Sequence, residues 1–204
     1  MYHGERLNSI THLAGTALAI AGSAVLIAHA ASQGDPWKIV AFSLYGVALV
    51  LLYAISTLYH STRGPAKALF RKMDHAAIFL LIAASYAPFT LVSLRGAFGW
   101  TLFAIIWLLA LHGIWRAWTR TDGRDPSPLP HLIMGWVGAS AVVPLIDKLG
   151  MGGIGWLAAG GALYTLGVLF YVNDTRWRHA HGIWHLFVMG GSASHFVSVM
   201  YFVN

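Results

Sequence analysis

The chain contains no cysteine. A disulfide framework and a thiolate metal site are both excluded, so any metal must be held by imidazole and carboxylate. Charge is scarce as well. Asp, Glu, Lys and Arg make up 10% of the 204 residues, where an ordinary soluble domain carries about 25%. Acidic residues are the rarest of these: Glu5, Asp35, Asp74, Asp122, Asp125, Asp147 and Asp174. The sequence also lacks linkers, low-complexity tracts and any convincing internal repeat, which makes residues 1–204 a single expected domain. What remains is apolar, at 57% of the chain. That much apolar surface needs a partner other than water, and a bilayer is the ordinary one.

Seven apolar runs of roughly spanning length succeed one another. They are Ile10–Ala31, Ile39–His60, Asp74–Val92, Gly99–Trp118, Leu132–Leu149, Gly153–Val172 and Gly182–Val203. None shows the two-residue alternation of a barrel strand, and lipid otherwise admits only helices. The expectation is an all-α bundle of seven transmembrane helices. Gly34-Asp35-Pro36, Arg63-Gly64-Pro65 and Asp125-Pro126-Ser127-Pro128 mark its short connections. Pro144 interrupts the fifth run, the least regular of the seven. Ala28-His29-Ala30 has the look of a signal-cleavage site. The run before it, however, exceeds the about 7–15 residues of a signal core and contains His12, so the first helix is expected to be retained.

The net charge of +6 is distributed as a topology signal. Ten of the thirteen Lys and Arg residues fall at one set of helix ends: Arg6, then Arg63, Lys67, Arg71 and Lys72, then Arg116, Arg120 and Arg124, then Arg176 and Arg178. Only Lys38, Arg95 and Lys148 fall at the other set. The positive-inside rule predicts a cytoplasmic N-terminus and an external C-terminus. Basic residues confined to short loops also argue against nucleic acid as a partner.

Ionisable groups inside a membrane are costly and mark candidate function. Asp74 opens the third run beside His75. Ser56 and His60 stand four residues apart at the end of the second, and His181 and His185 four apart at the start of the seventh. Residues i and i+4 share a helix face. The predicted topology brings these three imidazoles and one carboxylate to one depth, near the cytoplasmic face. Three His ligands suit an open zinc site, with Asp74 beside the water. Helix caps, interhelical hydrogen bonds and a haem are alternatives for the same histidines. The seventh run has no lysine, which disfavours retinal. Glu5, Asn8 and His12 form one stripe on the first helix, equally a support for the site or a cap. His195 lies roughly 15 Å beyond His185 along the seventh helix, too deep for the same metal. It reads as a core histidine or part of a polar cavity. Ser85 reads as an interhelical hydrogen-bonding group, and His29, His112, His131 and His179 as interfacial or packing residues.

The motifs resemble those of the bacterial hemolysin III family, nearly end to end. They are Asn8-Ser9-Ile10-Thr11-His12, Ser56-Thr57-Leu58-Tyr59-His60-Ser61, Asp74-His75 followed by Ile78-Phe79-Leu80-Leu81-Ile82-Ala83 with Tyr86 and Pro88, and His181 four residues before His185-Leu186-Phe187-Val188 with Ser192-Ala193 and His195-Phe196. That family is similar to the progestin and adipoQ receptors and, more distantly, to the alkaline ceramidases. The resemblance implies zinc ligands His60, His181 and His185, with Asp74 contacting the metal-bound water and Ser56 assisting. It implies a multi-pass protein of the bacterial inner membrane. Three functions are expected in turn: a zinc-dependent hydrolase of a membrane lipid amide or ester, a pore-forming cytolysin, or a non-enzymatic, receptor-like lipid sensor or regulator of the membrane. A membrane lipid is the expected partner, and an oligomer is compatible with all three.

Overall fold

A computed structural model describes residues 4–120 and 126–204. Asp122, Arg124 and Asp125 lie outside the described residues. Within them the chain is helical and contains no strand. Seven α-helices occur in order: α1 (Arg6–Gln33), α2 (Pro36–Ser61), α3 (Pro65–Ala87), α4 (Ala97–Thr119), α5 (Leu129–Trp136), α6 (Val142–Tyr171) and α7 (Ala180–Phe202). Six stretches among the described residues are long and apolar enough to cross a membrane. Four coincide with α1, α2, α4 and α7, and a fifth is α3 with its continuation to Ser93.

The sixth stretch, Leu129–Tyr171, differs from expectation. The sequence predicts separate helices over Leu132–Leu149 and Gly153–Val172. The structure instead joins α5 to α6 through a short 3-10 turn, Val137–Ala141, as one run of 43 residues. Pro144 sits in the first turn of α6, where its missing N–H breaks no hydrogen bond. The interruption comes at Gly150, whose φ of 63° and ψ of 176° kink α6. Glycine meets that left-handed φ without a Cβ penalty.

The third helix also departs from its expected start. It begins at Pro65 rather than Asp74, because Pro suits a first helical position and the charged turn through Lys67, Arg71 and Lys72 is itself helical. Asp74 therefore sits well inside α3. At the other end Pro88 supplies no N–H, and the backbone widens into a π-turn over Pro88–Ser93. The Thr90 hydroxyl donates to the Tyr86 carbonyl at 2.9 Å, satisfying an acceptor that the wider turn loosens.

Large apolar side chains such as Leu108 and Val143 remain 66% and 75% exposed, as lipid-facing residues of such helices would. The core runs through Leu26, Phe42, Tyr45, Leu52, Ala83 and Ile106, all buried. Two close approaches bring the helix ends together. A Cβ at Gly15 of α1 would lie 2.7 Å from the Tyr53 ring of α2. A Cβ at Gly182 of α7 would collide with the Leu7 side chain of α1. Small residues at these points let α2 and α7 close onto the first turns of α1.

Candidate metal centre

The closure of α1, α2 and α7 gathers histidines from three helices. His60 ends α2, and His181 and His185 open α7. One ring nitrogen from each can be chosen so that all three lie within 4.8 Å of one another. The ring centroids are 5.0 Å apart for His60–His181 and His60–His185, and 4.8 Å for His181–His185. Three imidazoles at this spacing are able to hold a metal ion, and no other such group occurs among the described residues.

The test of fit is what the two nitrogens of each ring do. His60 Nδ1 lies 2.7 Å from the Glu5 carboxylate. His181 Nδ1 lies 3.2 Å from the Asp174 carboxylate. His185 Nδ1 lies 3.2 Å from the Asn8 carbonyl and 3.1 Å from the Thr11 hydroxyl. Carboxylates and carbonyls only accept, so each contact sets the proton on Nδ1 and leaves Nε2 with a free lone pair. His60 Nε2 is buried with no hydrogen-bond partner among the described residues. Ligating histidines ordinarily give their second N–H to a carboxylate or backbone carbonyl. The donor set fits a divalent metal that accepts nitrogen ligands, zinc among them.

Glu5 is more than a cap. Burial alone would raise its carboxyl, but hydrogen bonds from His60, Lys67 and Asn8 outweigh burial and hold it well below the usual carboxylate range. Lys67 donates to it at 2.8 Å and Asn8 at 2.7 Å. Asp174 reaches His181 from the connection before α7, which turns back through His179 at a left-handed φ of 64°. Neither carboxylate stands out in the sequence as a partner of a particular histidine. The signal available was chemical: a histidine ligand needs an acceptor for its second nitrogen, and the chain has few carboxylates to offer.

Asp74 and Ser56 face each other, with His60 alongside. Both line a cavity of about 720 Å³ that begins at the histidines and runs between the helices. Its far walls are apolar, with Leu81, Ile82, Phe89, Leu145, Ile154 and Leu157. The structure therefore brings together every residue singled out as metal-ligating or catalytic: Ser56, His60, Asp74, His181 and His185. His12 joins them. Its ring stacks on His185 with centroids 3.5 Å apart, it is 4% exposed, and neither nitrogen has a partner among the described residues. The stripe Glu5–Asn8–His12 thus belongs wholly to this site. His131, read from the sequence as a packing residue, does stack on Phe79 at 4.0 Å, yet it also lines the cavity. His195 lines the cavity's deep part. Among the described residues Ser85 does not bridge helices: its hydroxyl donates to the Ile82 carbonyl of its own helix at 2.8 Å.

Long apolar helices closed around a largely apolar cavity with histidines at one end define a multi-pass integral membrane protein. The profile of the haemolysin-III-related family matches residues 1–196. Hemolysin-3 of Bacillus cereus is 45% identical over 201 residues, covering 98% of this chain and 91% of that protein. The human monocyte to macrophage differentiation factor is 32% identical over 199 residues, covering 94% of this chain and 81% of that protein. The adiponectin receptor protein of Drosophila melanogaster is 22% identical, over 95% of this chain and 49% of that receptor. The chain belongs to the haemolysin-III-related family, and the family's likeness extends to the adipoQ receptors.

Proposed function

We propose that this chain is a zinc-dependent hydrolase of a membrane lipid amide or ester, built as one seven-helix domain of the bacterial inner membrane. The observation that carries the reading is the treatment of the three histidines: each Nδ1 is occupied by an acceptor and each Nε2 is left for a ligand. His60, His181 and His185 would hold the metal. A zinc ion so held supplies a Lewis acid that polarises a carbonyl and lowers the pKa of water toward about 7. Asp74 faces the same end of the cavity and takes a proton from the attacking water at its carboxylate. It then returns that proton to the departing amine or alcohol. Ser56 steadies the Asp74 carboxylate. The apolar walls receive the acyl chain and exclude bulk water from the reacting end.

Seven crossings are the reading that reconciles Leu129–Tyr171 with a bilayer. Its 43 residues would extend roughly 65 Å as one helix, about twice a hydrocarbon core of about 30 Å. The segment crosses twice, turning at Gly150. With basic residues concentrated at the histidine end, the N-terminus and the site face the cytoplasm and the C-terminus faces outward.

The experiment is metal analysis of detergent-purified protein, followed by hydrolysis of a fluorescent N-acyl amide lipid and an acyl ester lipid. About one zinc per chain is expected, absent from the variant carrying His181→Ala and His185→Ala. Asp74→Asn should keep the zinc and lose about 100-fold or more in hydrolysis. Wild-type protein that carries no zinc would overturn the reading. A pore is the rival suggested by the relative named Hemolysin-3. Dye release from liposomes, unmoved by chelator and by Asp74→Asn, would favour it.

A further inference from the structure

Among the polar groups that line the cavity away from the proposed metal ligands, His195 is one that the proposed hydrolysis does not use. His195 lies ten residues after His185 on α7, roughly 15 Å further along the helix. Its ring is held in a made-to-fit position. Nε2 lies 3.3 Å from the Leu157 carbonyl of α6. The Tyr164 ring meets it edge-on with centroids 5.4 Å apart. The backbone of Gly160 lies directly beneath: a Cβ there would collide with Cδ2 and sit 2.5 Å from Nε2 of the imidazole. Only glycine at 160 admits the ring to this place.

These contacts fix the chemistry of the other nitrogen. A carbonyl only accepts, so Nε2 carries the proton, and Nδ1 is left as an acceptor. No partner for Nδ1 occurs among the described residues, and the ring lines the cavity. The neighbouring hydroxyls are already committed to protein atoms. Thr90 donates to Tyr86, Tyr86 to Met134, and Tyr164 pairs with Ser192. Among the described residues His12 and His131 also line the cavity with unpartnered nitrogens, but His195 lies roughly 15 Å past His185, and an acceptor there selects a ligand that brings a hydrogen-bond donor to that depth.

We infer that the lipid bound in this cavity carries a hydroxyl in the outer half of its acyl chain, donated to His195 Nδ1. The inference rests on the lipid reading proposed above, and deepens it by naming the substrate class as a mid-chain hydroxylated acyl lipid. The polar head lies at His60, His181 and His185, and the hydroxyl is read at His195.

The test compares binding of ricinoleate and oleate, which differ by one hydroxyl far from the carboxylate, to the full-length detergent-solubilised protein. A stearate hydroxylated next to its carboxylate serves as the positional control. Wild type should bind ricinoleate about threefold to tenfold more tightly than oleate, the effect of one added hydrogen bond. His195→Phe should abolish the preference, and Gly160→Ala, which displaces the ring, should do the same. Any preference for the positional control over stearate should be unmoved by His195→Phe. Equal binding of ricinoleate and oleate by wild type overturns the inference and leaves the lipid reading standing. A preference that survives in His195→Phe also overturns it. Failure of wild type to bind either fatty acid removes both. The wild-type comparison requires no variant to fold.

Discussion

Two neighbouring groups of buried polar atoms, the tyrosines between α2, α6 and α7 and the histidines beside them, are treated in opposite ways. In the first, the tyrosine hydroxyls are consumed within the protein. Tyr53 donates to Ser192 Oγ at 2.8 Å, Tyr164 shares the same oxygen at 2.8 Å, and Tyr45 donates to the Ser192 carbonyl at 3.3 Å. In the second, buried nitrogens are left over among the described residues: both of His12 and Nε2 of His60. A buried polar atom without a partner costs about 1–3 kcal/mol, so folding alone would not retain several in one place. The satisfied network holds α2, α6 and α7 together. The unsatisfied one is the set of atoms that a bound metal would engage. The two groups are thus open to separate tests.

The largest effect is expected where the histidine end is held in position. Glu5→Gln replaces the carboxylate that His60 Nδ1 meets and weakens Lys67's hold on the same side chain. Zinc affinity should fall about tenfold to a hundredfold, measured by competition with a chromophoric chelator. Unchanged affinity would show that His60 needs no carboxylate to orient it. Next in size is Ser192→Ala in the tyrosine group. It removes the oxygen shared by Tyr53 and Tyr164, leaving Tyr53 the Val188 carbonyl at 3.4 Å, and should destabilise the protein by about 1–3 kcal/mol in thermal unfolding, with zinc content intact. Loss of zinc would erase the distinction between the two groups. The smallest change sharpens it. His12→Phe keeps the ring stacked on His185 and removes two unpaired nitrogens. Stability should hold or rise by up to about 1 kcal/mol in the same unfolding measurement. A clear loss of stability would mean that His12 is part of the fold's own bonding.

The sequence disclosed the spanning helices readily, because apolar length is a property of a single segment. His60, His181, His185, Asp74 and Ser56 were also legible, from i, i+4 pairs at helix ends and a common depth. Boundaries were harder. α3 starts at Pro65 rather than Asp74, since a charged amphipathic turn carries no hydropathy signal. The run through α5 and α6 hides its break in one residue, Gly150, whose backbone torsion no composition window registers. The partners Glu5 and Asp174 were out of reach for a different reason. Glu5 lies 55 residues from His60, and which carboxylate meets which imidazole is decided by helix packing rather than by spacing. Gly15 and Gly182, where that packing is set, look in the sequence like any other small residue in an apolar run.

The order of these residues along the chain has a consequence for how the protein is made. Glu5 and Asn8 are synthesised first, His60 later, and Asp174, His181 and His185 only after α1 to α6 are complete. A chain that has not yet reached α7 holds only one of the three imidazoles. Capture of a metal by these three histidines would therefore become possible only when α7 has entered the bilayer and reached back to the first turn of α1. A bound ion would lock together the earliest and latest segments to emerge from the ribosome, so that loading with metal and completion of insertion would be a single event.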